Sequence, residues 1–252
     1  MKTFIKNHPY ISAILLFIVD SLLPVPLVIA FKLLNLDLEP LRLIIPILMS
    51  IFAIGVLYYL GWLKIAGFGK KIRDIDVLWF PLVLAFVPVV LFGTVEIAAN
   101  LVFFYLVALL FTGISEEGFS RGIIINVMIP KGKWVALLFS AVLFGVGHFS
   151  NLFFESFTVI QMIEKIWLTI SFAILYGALF LRIRNIWPLI IIHMMWDFSF
   201  LISGTGGPFT VVPFPSYIHM IIGALSIAYA IYIVRKVNTT DILIESKSSS
   251  QG

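Results

Sequence analysis

The sequence predicts an all-α protein, a polytopic membrane helix bundle with about eight transmembrane helices, and three observations predict it. Apolar residues make up 61% of the 252 positions and charged residues only 12%, a balance that would leave a water-soluble domain with a sticky surface. Apolar runs close to or above the roughly 20 residues that a helix needs to cross hydrocarbon recur along the chain. Lys and Arg collect in short flanks between those runs. A backbone in lipid must satisfy its own hydrogen bonds, so the runs read as helices.

The first span is read as Tyr10–Leu34. The start, Met1 to Phe17, is basic and then apolar like a signal peptide, but the run continues past Asp20 without a small-residue cleavage site, which predicts an uncleaved span. The second and third spans are Leu41–Leu63 and Val77–Gly93, and Pro24, Pro26, Pro46, Pro81 and Pro88 predict kinks in the first three. The fourth, Ile97–Ile129, is longer than a bilayer requires and should tilt or continue beyond the lipid. Trp134–His148, Ile166–Leu181, Ile186–Ile202 and Tyr217–Val234 complete the set. The stretch Ser150–Lys165, with Phe153, Phe154 and Phe157 beside Glu155 and Glu164, reads either as an interfacial segment or as an ordinary loop. Lys64–Asp76 reads as a basic topology anchor, and the tail ending Ser248-Ser249-Ser250-Gln251-Gly252 reads as disordered. These elements divide the chain into N-terminal membrane helices (1–96), a central helix bundle (97–202), and a last helix with its tail (203–252).

An even number of spans puts both termini on one side. With the N-terminus in the cytoplasm, thirteen Lys and Arg residues fall on inside segments and only Lys32, Arg42 and Lys165 outside, which predicts an integral plasma-membrane protein with both termini cytoplasmic. The net charge of +4 is spread over those flanks, so it argues for the lipid bilayer as partner and against nucleic acid. The absence of cysteine excludes disulfides, thiolate ligands and a cysteine nucleophile.

Within the spans the ionisable residues fall mainly in three groups. The fourth span holds Glu116, Glu117 and Arg121, the fifth ends on Phe144-Gly145-Val146-Gly147-His148, and the seventh holds His193 and Asp197. A charge near the middle of a lone membrane helix costs on the order of 3 kcal/mol, so these groups must meet inside the bundle or line water. Glu117 and Arg121 are four apart and share a helix face, as do His193 and Asp197, while Glu116 is turned about 100° from Glu117. Counted at about 1.5 Å per residue from the cytoplasmic flanks, Glu116, His148 and Asp197 reach depths of roughly 20 Å, with His193 one turn lower. Such a set suits amide hydrolysis. A carboxylate beside an imidazole can act as general base on a water, or two imidazoles and a carboxylate can hold Zn2+. Intramembrane carboxylates and histidines also mark transporters and proton pathways, and a non-catalytic immunity or binding protein is a further alternative. His8 and His219 read as interfacial, and Asp20 and Glu96 as isolated from the three groups.

At these residues the sequence resembles the CPBP family of intramembrane proteases, which includes the CAAX prenyl endopeptidases and bacterial bacteriocin-processing or Abi proteins. Glu116-Glu117-x-x-x-Arg121, Phe144-x-x-x-His148 and His193-x-x-x-Asp197 match its three motifs in order, and the resemblance runs from about Ile97 to Ile202. It implies an endopeptidase acting on a peptide or protein substrate. By that resemblance Glu116 and His148 hold and activate the water, Glu117 and Arg121 orient the site, and His193 with Asp197 binds a metal or stabilises the oxyanion. The metal set would be His148, His193 and Asp197.

Overall fold

The structure, a computed structural model, describes residues 2–153, 157–205 and 215–238. A short α1 (Lys2–Asn7) leads into α2 (Pro9–Leu22) and α3 (Val25–Leu33), followed by α4 (Leu41–Leu60). A 3₁₀ turn at Ile75–Leu78 opens the third span, which continues as α5 (Trp79–Ala85) and α6 (Val87–Phe92). Helix α7 (Ala99–Glu117) runs into a π-helical segment (Gly118–Ile125) and the short α8 (Asn126–Met128), then come α9 (Lys133–Gly147), α10 (Val159–Ile183), α11 (Trp187–Ile202) and α12 (Ser216–Arg235). No strand occurs among the described residues. Among the described residues, seven helical stretches are long and apolar enough to cross a membrane. The apolar α11, with 16 residues, is shorter and corresponds to the seventh expected span.

The expected breaks fall at prolines. The first span parts between Leu22 and Val25, and the third parts at Phe86, one residue ahead of Val87-Pro88. Proline has no N–H to give and crowds the preceding turn. Pro46, by contrast, stays inside a continuous α4. The fourth span is a single 33-residue helical stretch from Ala99 to Lys131.

The sixth helix differs from expectation. It begins at Val159 instead of Ile166, because Thr158 and Gln161 form a capping box: Gln161 N donates to Thr158 Oγ1 at 3.3 Å and Thr158 N donates to Gln161 Oε1 at 2.9 Å. Two otherwise orphaned backbone donors are satisfied, and helix starts there. The C-terminal half of the expected connecting stretch is therefore helix, and Glu164 and Lys165 lie on it. Phe154 and Glu155 of the same stretch lie outside the described residues, as does the Ser248–Gly252 tail.

Helix α10 is the centre of the bundle and packs on α9 and α12, while α7 packs on α4 and α11. Small residues allow the closest approaches. A Cβ on Gly145 would sit 2.4 Å from Ile170 Cγ1, and one on Gly113 would sit 3.0 Å from the Ile190 carbonyl oxygen. Large apolar side chains such as Ile51, Tyr58, Val90 and Phe103 are exposed around the outside, a surface that lipid covers and water would not tolerate.

Candidate active site

The polar groups of α7 sit at its C-terminal turn, where the chain widens into the π-helical segment. All eight residues of that segment are buried. Single π turns inside α-helices concentrate at functional sites. Here the segment carries Arg121, whose Nε lies 3.1 Å from Glu117 Oε2, with both side chains almost wholly shielded from solvent. The N–H is poorly aligned with that oxygen, so the attraction is one of charge more than a directed hydrogen bond. The guanidinium is also bracketed by rings, 4.8 Å from the Phe144 centroid and 5.6 Å from that of Tyr176, contacts that favour a desolvated cation.

Glu117 uses its other oxygen for a second contact. His193 Nδ1 donates to Glu117 Oε1 at 2.9 Å. The imidazole is thereby fixed in orientation and turns its Nε2 toward two further carboxylates, Glu116 Oε2 at 3.6 Å and Asp197 Oδ2 at 3.5 Å. Glu116 is about one-third exposed where Glu117 is fully buried. The two neighbours thus divide the work, one facing the cavity and one locked behind it, as the 100° turn between them predicts.

His148 comes from a different helix. Its Nδ1 donates to the Phe144 carbonyl at 2.9 Å, a bond that only a protonated Nδ1 can make and that leaves Nε2 directed elsewhere. Its ring tilts against Phe144, with centroids 4.8 Å apart. Glu116, Glu117, Arg121, His148, His193 and Asp197 all line one cavity of about 130 Å³, together with Thr112, Phe144, Phe172, Tyr176 and Trp196. Five of the six are joined by the contacts above. His148 shares the cavity, and among the described residues no direct contact links it to Glu116.

Other cavity residues were missed in the sequence. His219, expected at the interface, is 2% exposed, and its Nδ1 lies 3.5 Å from Glu164 Oε2 on α10. Both line the same cavity. The Thr158/Gln161 capping box is the signal that places Glu164 on a helix, and Gly223, one turn after His219, makes room for Trp167, whose Nε1 donates to the His219 carbonyl at 3.1 Å. Exposed His8 and Glu96 take no part.

Among the described residues no three His, Asp or Glu side chains are grouped so as to hold a metal ion. Nδ1 of each histidine is engaged, by Glu117 in one case and by the Phe144 carbonyl in the other, which leaves each Nε2 to face other partners. The structure does not gather His148, His193 and Asp197 into one such group, and no step below runs through a metal.

Fold and site together define an integral membrane protein with a cavity of carboxylates, histidines and one buried arginine inside its helix bundle. Residues 98–199, the segment that carries all six of these groups, match the family described as type II CAAX prenyl endopeptidase Rce1-like, so this part of the chain is similar to the CAAX proteases. No curated protein and no solved structure matches the chain.

Proposed function

We propose that the protein is an intramembrane endopeptidase that hydrolyses a peptide bond in a membrane-associated peptide or protein, with Glu116 as general base. The observation that carries the reading is the pairing of a partly exposed Glu116 with His193 at 3.6 Å on the wall of a cavity within the bundle, backed by the buried Glu117–Arg121 pair.

In this reading a water between Glu116 and the scissile carbonyl gives one proton to the Glu116 carboxylate as its oxygen bonds to the carbonyl carbon. The negative charge that develops on the carbonyl oxygen is met by an N–H at His193 Nε2, which the Nδ1 bond to Glu117 holds in place. On collapse the C–N bond breaks, and the proton held by Glu116 passes to the departing amine. His148 Nε2 positions the water from the α9 side. Arg121 and Glu117 touch no substrate, and their part is to fix the His193 ring. Asp197 supports the same imidazole from the next helical turn. Rate factors of about 10²–10⁴ are usual for a positioned general base.

The match of residues 98–199 to CAAX prenyl endopeptidases supports a prenylated CAAX-type protein as substrate, and a secreted or bacteriocin-type peptide matured at the membrane is the second candidate class. Mass spectrometry of membrane-associated peptides from cells with the native protein and with Glu116→Ala tests it. A peptide pair, uncut in the variant and cut in the parent, is expected, and identical peptide sets would contradict the proposal. We infer the orientation from the basic bias: reporter fusions at Ile75 should report cytoplasm and at Leu38 the outside, and swapped signals would overturn it.

A further inference from the structure

A second concavity lies away from the cavity of Glu116, at the end of the bundle where α10 and α12 finish. It is an open groove of about 520 Å³, and among the described residues its lining includes Lys70, Lys71, Arg73, Arg182 and Arg184 with Asp74 as the one carboxylate. A loose run of lysines would serve as a topology anchor. This groove is different, because its cations are built onto a fixed backbone.

Arg184 sits in the left-handed region, at φ 52°, and is 8% exposed. Its guanidinium reaches the Ile65 carbonyl at 3.4 Å and Asn126 Oδ1 at 3.4 Å and stacks on Phe180 at 4.9 Å. Buried Asn185 donates to the Lys70 carbonyl at 2.6 Å and accepts from Trp187 N at 2.9 Å. Gly67 lies directly on this corner: a Cβ there would stand 2.5 Å from the Arg184 carbonyl oxygen. The loop carrying Lys70, Lys71 and Arg73 is thus sewn to the end of α10. Arg182 is held in turn by Asp74, Nε to Oδ2 at 3.2 Å. Lys71 and Arg73 remain exposed at the rim.

Location narrows the ligand. The groove is at the helix ends that also carry Lys131, Lys133, Arg235 and Lys236, which is the level of lipid headgroups for a bundle of this length. A concave, preorganised set of Arg and Lys with one acidic member suits a phosphate group, which accepts from several N–H donors at once.

We propose that this groove is a binding site for a phosphate group, presented by an anionic phospholipid headgroup or carried by a soluble phosphate compound. Lys71 and Arg73 supply the direct contacts, and Arg182 and Arg184 shape the floor. The site is separate from the peptidase reading and stands or falls independently of it.

The test uses the full-length protein in nanodiscs of phosphatidylcholine alone and of phosphatidylcholine mixed with phosphatidylglycerol, and in detergent with inorganic phosphate. Thermal unfolding and native mass spectrometry are the readouts. Phosphatidylglycerol should raise the melting temperature and remain bound in the mass spectrum. The double variant Lys71→Gln/Arg73→Gln should weaken lipid binding about thirtyfold, at roughly fivefold for each cation near the surface. Lys2→Gln/Lys6→Gln, which removes two cations from α1, should leave binding unchanged. Inorganic phosphate that displaces the lipid, and is itself lost in the first double variant, supports the site and assigns it to soluble phosphate compounds. Equal binding by the parent and the first double variant, or equal loss in both double variants, would overturn the proposal and reduce the groove to diffuse surface charge.

Discussion

The first span and the sixth invert the rule that holds in water. Helices α2 and α3 are more apolar than α10, yet they bury only Pro9, Ser12 and Ala13 between them. Helix α10 carries Gln161, Glu164, Lys165 and Thr169 on its cavity side and still buries thirteen of its residues. Lipid is as good a solvent for Leu and Ile as a protein core is, so apolar surface has no reason to turn inward. Polar groups do have one, since each costs several kcal/mol if it faces hydrocarbon without a partner. In this bundle the polar groups decide which helix is central, and the site forms where they meet.

The sharpest way to break that comparison is to strip a buried charge of its partner. Glu117→Gln leaves the Arg121 guanidinium without its carboxylate in a shielded place, and it should cost about 3–5 kcal/mol of stability as well as activity, because the His193 ring loses its brace. Melting in detergent equal to that of the parent would argue that the pair contributes nothing to the centre of the bundle. A smaller effect is expected where α9 meets α10. Gly145→Val forces new atoms against Ile170 and should destabilise by about 1–3 kcal/mol, and an unchanged melting temperature would show that the contact is looser than the 2.4 Å approach implies. The smallest effect belongs to the lipid-facing side. Ile18→Ala, on a half-exposed position of α2, should change stability by no more than about 0.5 kcal/mol. A large loss there would mean that the first span has a protein partner on that face.

This contrast also explains which features were legible in the sequence. The spans could be read because the bilayer sets helix length, and the Glu117–Arg121 pair because i,i+4 spacing is a local property. The bridge from His193 to Glu117 joins residues 76 apart in sequence, and no periodicity predicts which of two adjacent glutamates will turn toward another helix. The π-helical segment was hidden for a different reason: all eight of its residues are buried, so a change from i→i+4 to i→i+5 bonding shifts no boundary between an apolar and a polar face. His219 was misplaced because a histidine near a helix start resembles an interfacial residue until Glu164 is known to stand opposite. Glu164 in turn depended on the Thr158/Gln161 capping box, a local signal that was present and passed over.

In the proposed function, the polar centre of the bundle activates water at Glu116. Peptide cleavage by purified Glu116→Gln tests it most directly, with melting measured on the same sample. The amide keeps the size of the side chain and removes its capacity as a base, so turnover should fall by a factor of about 10²–10⁴ while melting stays at the parent's value. Near-native turnover by a well-folded Glu116→Gln protein would contradict the account and remove Glu116 from the role of base.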